Sequence, residues 1–319
     1  MKKVFKAVIC IALCAVFAFS LSGCAKVSYV FDGTLKAVSE VKSGEWNKKD
    51  KAEDEGDASS DPAVIDELKP GTYGGIEFKT LDDVANYYAE AYKITKAETA
   101  EYIDENGKKA TFYKFIDEKR IEVNDILVEG SSNAVINKLI PQLLDALYVP
   151  TIGGLHPCNA REPENDKDEK GGSLLESRIK GDDLTAANVK DNGDGTITLT
   201  MQPKLTEMSR VGMDPQGKMF TTLNDIGAVV DAVDAFSWAS GTTEENCKVT
   251  YKGGTAVIKI DTKTKKVVEA DYTMIAYVDI QHANIAVVHD KSLSATVYYK
   301  CHFPCSKEFL EKVNVKPVN

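Results

Sequence analysis

The chain has little of what most recognisable catalytic centres are built from. It carries four histidines and two tryptophans in 319 residues, and no two histidines fall at the spacing of a helical metal pair. It has no phosphate-binding Walker loop, no dinucleotide fingerprint and no nucleophile elbow. These absences take away the signatures of nucleotide-driven and dinucleotide-dependent enzymes, though not of every enzyme, and no cofactor is implied. Positive charge is also short, with 39 Lys and Arg against 49 Asp and Glu. Such a chain repels nucleic acid and anionic lipid headgroups, so no nucleic-acid partner is expected. The first long uncharged run, residues 7–23, falls below the roughly 20 apolar residues of a spanning helix, and Ser20, Ser22 and Gly23 weaken its end.

That run has a purpose of another kind. It follows Met1-Lys2-Lys3 and Lys6, a positive start before an apolar stretch, and it stops at Leu21-Ser22-Gly23-Cys24. These residues resemble the lipobox of bacterial lipoproteins. The resemblance implies cleavage before Cys24 and diacylation of its thiol. Two acyl chains, at roughly 0.8 kcal/mol per buried methylene, anchor stably where one does not. The expectation is a signal peptide over residues 1–23 and a mature chain tethered through Cys24 to the cell membrane, facing outside the cytoplasm. The leader removes Lys2, Lys3 and Lys6 and no acid, so the net charge deepens from −10 to −13. Membrane attachment is therefore read from the lipid and not from a basic patch.

Residues 43–62 are charged, poor in apolar side chains and closed by Pro62. They cannot bury enough surface to order themselves, so residues 24–70 read as a mostly flexible stalk. A globular part follows over 71–319, as one core or as two portions, 71–150 and 174–319, joined by a loop over 151–173. Thr80 and Asp83 form a capping-box pattern ahead of Leu81, Val84, Ala85, Tyr88 and Tyr92 at helical spacing. Segments 99–104 and 109–116 flank Glu105-Asn106-Gly107 as a hairpin, and 120–128 reads as a further strand. Helices are expected from about 133 to 147, with Pro141 inside, and from about 223 to 238. Segments 248–252 and 255–261, joined by Gly253-Gly254, read as a second hairpin.

The last eighty residues carry the clearest pattern. Val268, Ala270, Tyr272, Met274, Ala276, Val278 and Ile280 alternate with polar positions. Thirteen residues at about 3.4 Å each span roughly 44 Å, a long strand. Leu293, Ala295, Val297, Tyr299, Cys301 and Phe303 repeat the design. One-sided strands describe an antiparallel sheet with one dry face, which must be covered. The predicted fold class is α+β: a long-stranded, curved antiparallel sheet with one face covered by about three α-helices. That architecture is similar to the half-barrel of lipoprotein-carrier folds and to tubular lipid-binding domains. The resemblance implies an apolar ligand lined by Tyr272, Met274, Val278, Val297 and Tyr299, against the simpler alternative of a filled core.

Other clusters carry less. Cys158, Cys247, Cys301 and Cys305 allow three disulfide pairings in an exported chain, or stay reduced. Cys301-His302-Phe303-Pro304-Cys305, with His156 and Cys158, suggests a metal, but Cys301 and His302 point to opposite faces of a strand and a second close pair is missing. No metal site is expected. Ser39-Glu40-Val41-Lys42, Ser131-Ser132-Asn133 and Lys252-Gly253-Gly254-Thr255 resemble, in order, the motif set of penicillin-binding proteins and serine β-lactamases. That resemblance would make Ser39 a nucleophile, but Ser39 lies beside the stalk and Gly253 departs from the pattern. Asp191-Asn192-Gly193-Asp194-Gly195-Thr196 looks like part of a calcium loop, yet glycines stand at two ligand positions, so a hairpin turn is expected. Glu162, Glu164, Asp166, Asp168 and Glu169 read as a solvated loop. The sequence thus points to an anchored, non-enzymatic binding protein for an apolar molecule or an envelope protein. A cell-envelope hydrolase and a structural or assembly factor are the alternatives.

Overall fold

A computed structural model describes residues 63–132, 151–154, 161–166, 175–206, 214–220, 236–285 and 288–318. Cys24, Ser39, Lys42, Asn133, His156, Cys158, Asp168 and Glu169 lie outside these residues, as do the predicted helix over 133–147 and most of that over 223–238.

The N-terminal elements are a small ribbon, β1 (Gly71–Tyr73) with β2 (Ile76–Phe78), then helix α1 (Leu81–Lys96). Thr80 accepts a hydrogen bond from the Asp83 amide, and the Asp83 carboxylate accepts one from the Thr80 amide, as the capping pattern requires. The buried face of α1 carries Val84, Ala85, Tyr88, Ala91 and Tyr92. Strands β3 (Thr99–Ile103) and β4 (Lys109–Tyr113) form the expected hairpin. Next come β5 (Ile116–Val128), β6 (Ser131–Ser132), β7 (Thr151–Gly154), β8 (Leu184–Asp191) and β9 (Thr196–Pro203). The second half holds α2 (Pro215–Met219), β10 (Phe236–Trp238), α3 (Thr243–Asn246), β11 (Cys247–Asp261), β12 (Val267–Ile285), β13 (Val288–Phe303), α4 (Lys307–Lys312) and β14 (Lys316–Pro317).

Nine strands form one antiparallel sheet among the described residues, in the order β6-β5-β13-β12-β11-β9-β8, with β10 on β12 and β7 on β5. The fold is therefore strand-dominated, which corrects the expectation of an α+β fold with about three helices over a sheet. Among the described residues α1 is the one long helix; α2, α3 and α4 are four to six residues each. The end of the helix expected to reach residue 238 is strand β10. Strongly one-sided strands do not specify what lies over them; among the described residues the side chains packed with the sheet come from α1, with Phe78, Phe115, Ile179, Met219 and Phe220.

Two further corrections concern strands. Gly253-Gly254 is no hairpin turn: β11 runs through it as one strand, with a register shift between Tyr251 and Gly253. The bulge changes which residues face inward, from Tyr251 before it to Gly254, Ala256, Ile258 and Ile260 after it. Val268, assigned to the dry side, is 41 % exposed, because β12 shifts register at its start, where Ile260 pairs with Val267. The rest of the alternation holds. Ala270, Tyr272, Met274 and Ala276 are buried, as are Leu293, Ala295, Val297, Tyr299 and Cys301.

A buried charged row at the start of β5

The residues expected to line a ligand are side chains of the main core. Tyr272, Met274, Val297 and Tyr299 are buried, and Val278 is half-buried at its margin. Helix α1 meets them directly, with the Tyr88 and Tyr272 hydroxyls 2.7 Å apart. Phe220 packs edge-on against Tyr272. Burial raises both phenols above the ordinary tyrosine range. At the other end of β12 and β13 the inner face continues into a second apolar cluster of Ile280, Ala283 and Leu293, joined by Val128, Trp238, Cys247 and Val278.

The remaining sequence candidates are scattered. Ser131 sits on β6 and Lys252 on β11, with β5, β13 and β12 between them. Four strand spacings of about 4.8 Å separate them across the sheet, and Lys252 lies five residues along β11 from Cys247, which shares the row of Ser131. The structure does not assemble the hydrolase-like set from them. Cys301 is buried, while His302 lies on the opposite face with Nδ1 2.7 Å from Asp271 Oδ1. No disulfide joins Cys247, Cys301 and Cys305 to one another. Among the described residues no group of three or more His, Cys, Asp or Glu is placed to hold a metal ion. At the β8–β9 turn, Asp191 accepts from the Gly193 and Gly74 amides and Asp194 from the Thr196 amide and Lys259. The acids serve the turn itself. Asp166 is buried and accepts a 2.6 Å hydrogen bond from Tyr113, so it is no part of a solvated loop.

The chemistry concentrates instead where β5 begins. Asp117 and Lys119 share the inward face of β5 with Val123, and both are buried. The register sets a row across four strands: Thr151 of β7, Lys119 of β5, Cys301 of β13 and Tyr272 of β12. One step along, Gly153 of β7 lies opposite Asp117. A Cβ at Gly153 would collide with Cε and Nζ of Lys119 and stand 2.9 Å from Asp117 Oδ1. Glycine thus leaves the space into which the lysine folds back towards the carboxyl. Lys96, at the end of α1, is fully buried, with Nζ 4.1 Å from the centre of the Tyr113 ring.

Asp117 is the exceptional member. It has no solvent exposure, and neither carboxyl oxygen has a hydrogen bond of acceptable geometry. Burial raises its affinity for a proton, and this outweighs the opposing influence of Lys119, Cys301 and Lys96 nearby. Burial likewise pushes the Cys301 thiol well up, reinforced by the charge of Asp117, and keeps it protonated. This end of β5 therefore brings together a carboxyl of raised proton affinity, a lysine and a neutral thiol away from water. Sequence reasoning missed it because charged residues read as the end of a strand. The signal was present in phase: stepping back by twos from Val123 reaches Lys119 and Asp117.

Comparison with known proteins adds no relative: no family model matches the chain, and no curated protein or solved structure matches it significantly.

Proposed function

We propose that the chain is an extracytoplasmic lipoprotein, held to the cell membrane by acyl chains on Cys24, whose folded part binds an apolar molecule and catalyses no reaction. The anchor rests on the leader and on Leu21-Ser22-Gly23-Cys24. None of the described helices is long and apolar enough to cross a membrane. One observation supports the binding reading. The apolar inner face of β12 and β13 runs on past the contact with α1, through Ala276, Val278, Ala295 and Leu293. Small side chains there, Ala276, Ala283 and Ala295, bring an occupant close to the sheet. Tyr272 and Tyr299 belong to the packed end, so the seat lies towards Val278.

The test is native mass spectrometry, with lipid extraction, on a Cys24→Ser chain exported from the cell. A reproducible non-covalent lipid, diminished by Ala295→Trp, is the expected result. A clean apo mass from two different expression hosts would overturn the binding reading. Loss of radiolabelled acyl incorporation in Cys24→Ser checks the anchor separately.

A further inference from the structure

We propose that strand β7 is a pH-operated cover over Asp117, released from β5 when that carboxyl ionises. This inference is independent of the ligand-binding reading. Asp117 is wholly buried, and neither of its oxygens has a hydrogen bond of acceptable geometry. Buried polar groups are ordinarily paired, so a bare one calls for a reason. The element over this carboxyl is β7. Gly153 lies opposite Asp117 in the register, and Asp117 Oδ1 is 2.9 Å from where a Cβ of Gly153 would stand. β7 is also a short terminal piece of the sheet: it has four residues, and β5 is its one pairing partner among the described residues. Its apolar hold is Ile152, buried in the small cluster with Phe112, Tyr113, Ile116 and Phe309. Such an element can open locally at far less than the cost of global unfolding.

The groups around the carboxyl decide which of them titrates. Burial holds the proton affinity of Asp117 up, against Lys119 on β5, Cys301 on β13 and Lys96 on α1, which favour its ionised form. Cys301, Cys305 just past β13 and Tyr272 on β12 all sense the charge of Asp117, and burial pushes each of them up, so they stay neutral. The Tyr299 ring lies 6.0 Å from Lys119 Nζ. Burial works against the charge of Glu118, the next residue of β5, but Ser306 and Arg120 hold its carboxyl below the usual range. β7 itself brings no ionisable side chain. Asp117 is therefore the acid of this set left to change charge as pH rises. A carboxylate there, dry and without donors, is costly. Lifting β7 gives it water, and its affinity falls back towards the ordinary aspartate value of about 3.9. The covered state thus keeps a proton that the open state gives up. The cover is tightest below that ordinary value. Between it and the raised value of the covered state, each pH unit favours opening by up to about tenfold.

Amide hydrogen exchange of the full chain across the range from about pH 4 to about pH 9, corrected for intrinsic rates, tests this. The opening constant of residues 151–154 is expected to rise by up to about tenfold per pH unit over part of that range, while residues 293–301 of β13 keep their protection. Asp117→Asn, neutral and of the same shape, is expected to flatten the profile. Carbon-13 NMR of the wild-type carboxyl groups gives a second measurement that needs no variant. Asp117 Cγ should titrate above the exposed aspartates, in the same pH window as the opening of β7. A flat wild-type profile overturns the proposal, as does an unchanged slope in Asp117→Asn. Protection lost together at 151–154 and 293–301 overturns it too, because the proton is then linked to unfolding of the whole sheet. Should Asp117→Asn fail to fold, the wild-type carbon midpoint decides: a value among the exposed aspartates sinks the cover.

Discussion

At the scale of single residues, the Tyr88–Tyr272 pair shows how the core is tuned. Two phenols meet at 2.7 Å inside an apolar cluster, and both are fully buried. Replacing one of them by Phe removes half of a buried hydrogen bond, and a cost of about 1–3 kcal/mol is expected. Replacing both is expected to cost less than the sum of the single changes, a coupling that urea titration of the four proteins measures. The pair also has a pH signature. Burial raises both folded values, so their contribution is intact below the ordinary tyrosine value of about 10 and is lost as pH climbs beyond it. The folded state keeps protons that the unfolded state gives up, and stability falls by up to ~1.4 kcal/mol per pH unit for each retained proton. The double Phe protein should lose that part of its alkaline slope.

Residue patterns also explain what could and could not be read in advance. Leu293, Ala295, Val297, Tyr299 and Cys301 announce their inward face because period-two alternation has one physical cause, a sheet with a dry side. Asp117 and Lys119 obey the same period, yet charge masks it. A buried acid without a partner contradicts the rule by which strands are recognised, so the most unusual chemistry lay where the rule gave no signal.

Among the elements, β11 is the most instructive. Its Gly253 has φ +134°, a conformation that L side chains rarely adopt, and the extra residue re-phases the strand. Gly254 then faces the core, where a Cβ would come within 2.5 Å of the Phe220 ring and 2.8 Å of the Thr273 carbonyl. Gly254→Ala should therefore destabilise by about 1–3 kcal/mol through overpacking, seen as a lower denaturant midpoint at unchanged slope. Two adjacent glycines between apolar runs carry the same local signal in a turn and in a bulge. Only the pairing of β11 with both β9 and β12 decides between them. The cap of α1 was readable because its two hydrogen bonds join residues three apart.

For the whole molecule, β12 and β13 share the longest register, from Ala270 with Phe303 to Ile285 with Val288. Strands on both flanks, β11 and β5, pair with them in turn. Amide hydrogen exchange should be slowest over 270–280 and 293–301, approaching the global unfolding limit, and fastest in β6 and β14. Uniform exchange across the sheet would show that the two long strands are not its stable centre. The long strands were visible in the sequence because they are local patterns. The sheet order was not, because it depends on pairings between residues more than a hundred positions apart, such as Lys300 with Arg120.

The small ribbon at the start of the fold has a mechanical meaning. The Val64 amide donates to the Gln202 side chain, Asn188 donates to the Asp66 carbonyl, and the Gly74 amide donates to Asp191. Tension arriving along the chain from residue 63 is thus taken first by these three fastenings on or beside the outermost strand, β8. They can give way one at a time, like stitches at a hem, while the long central strands stay unloaded.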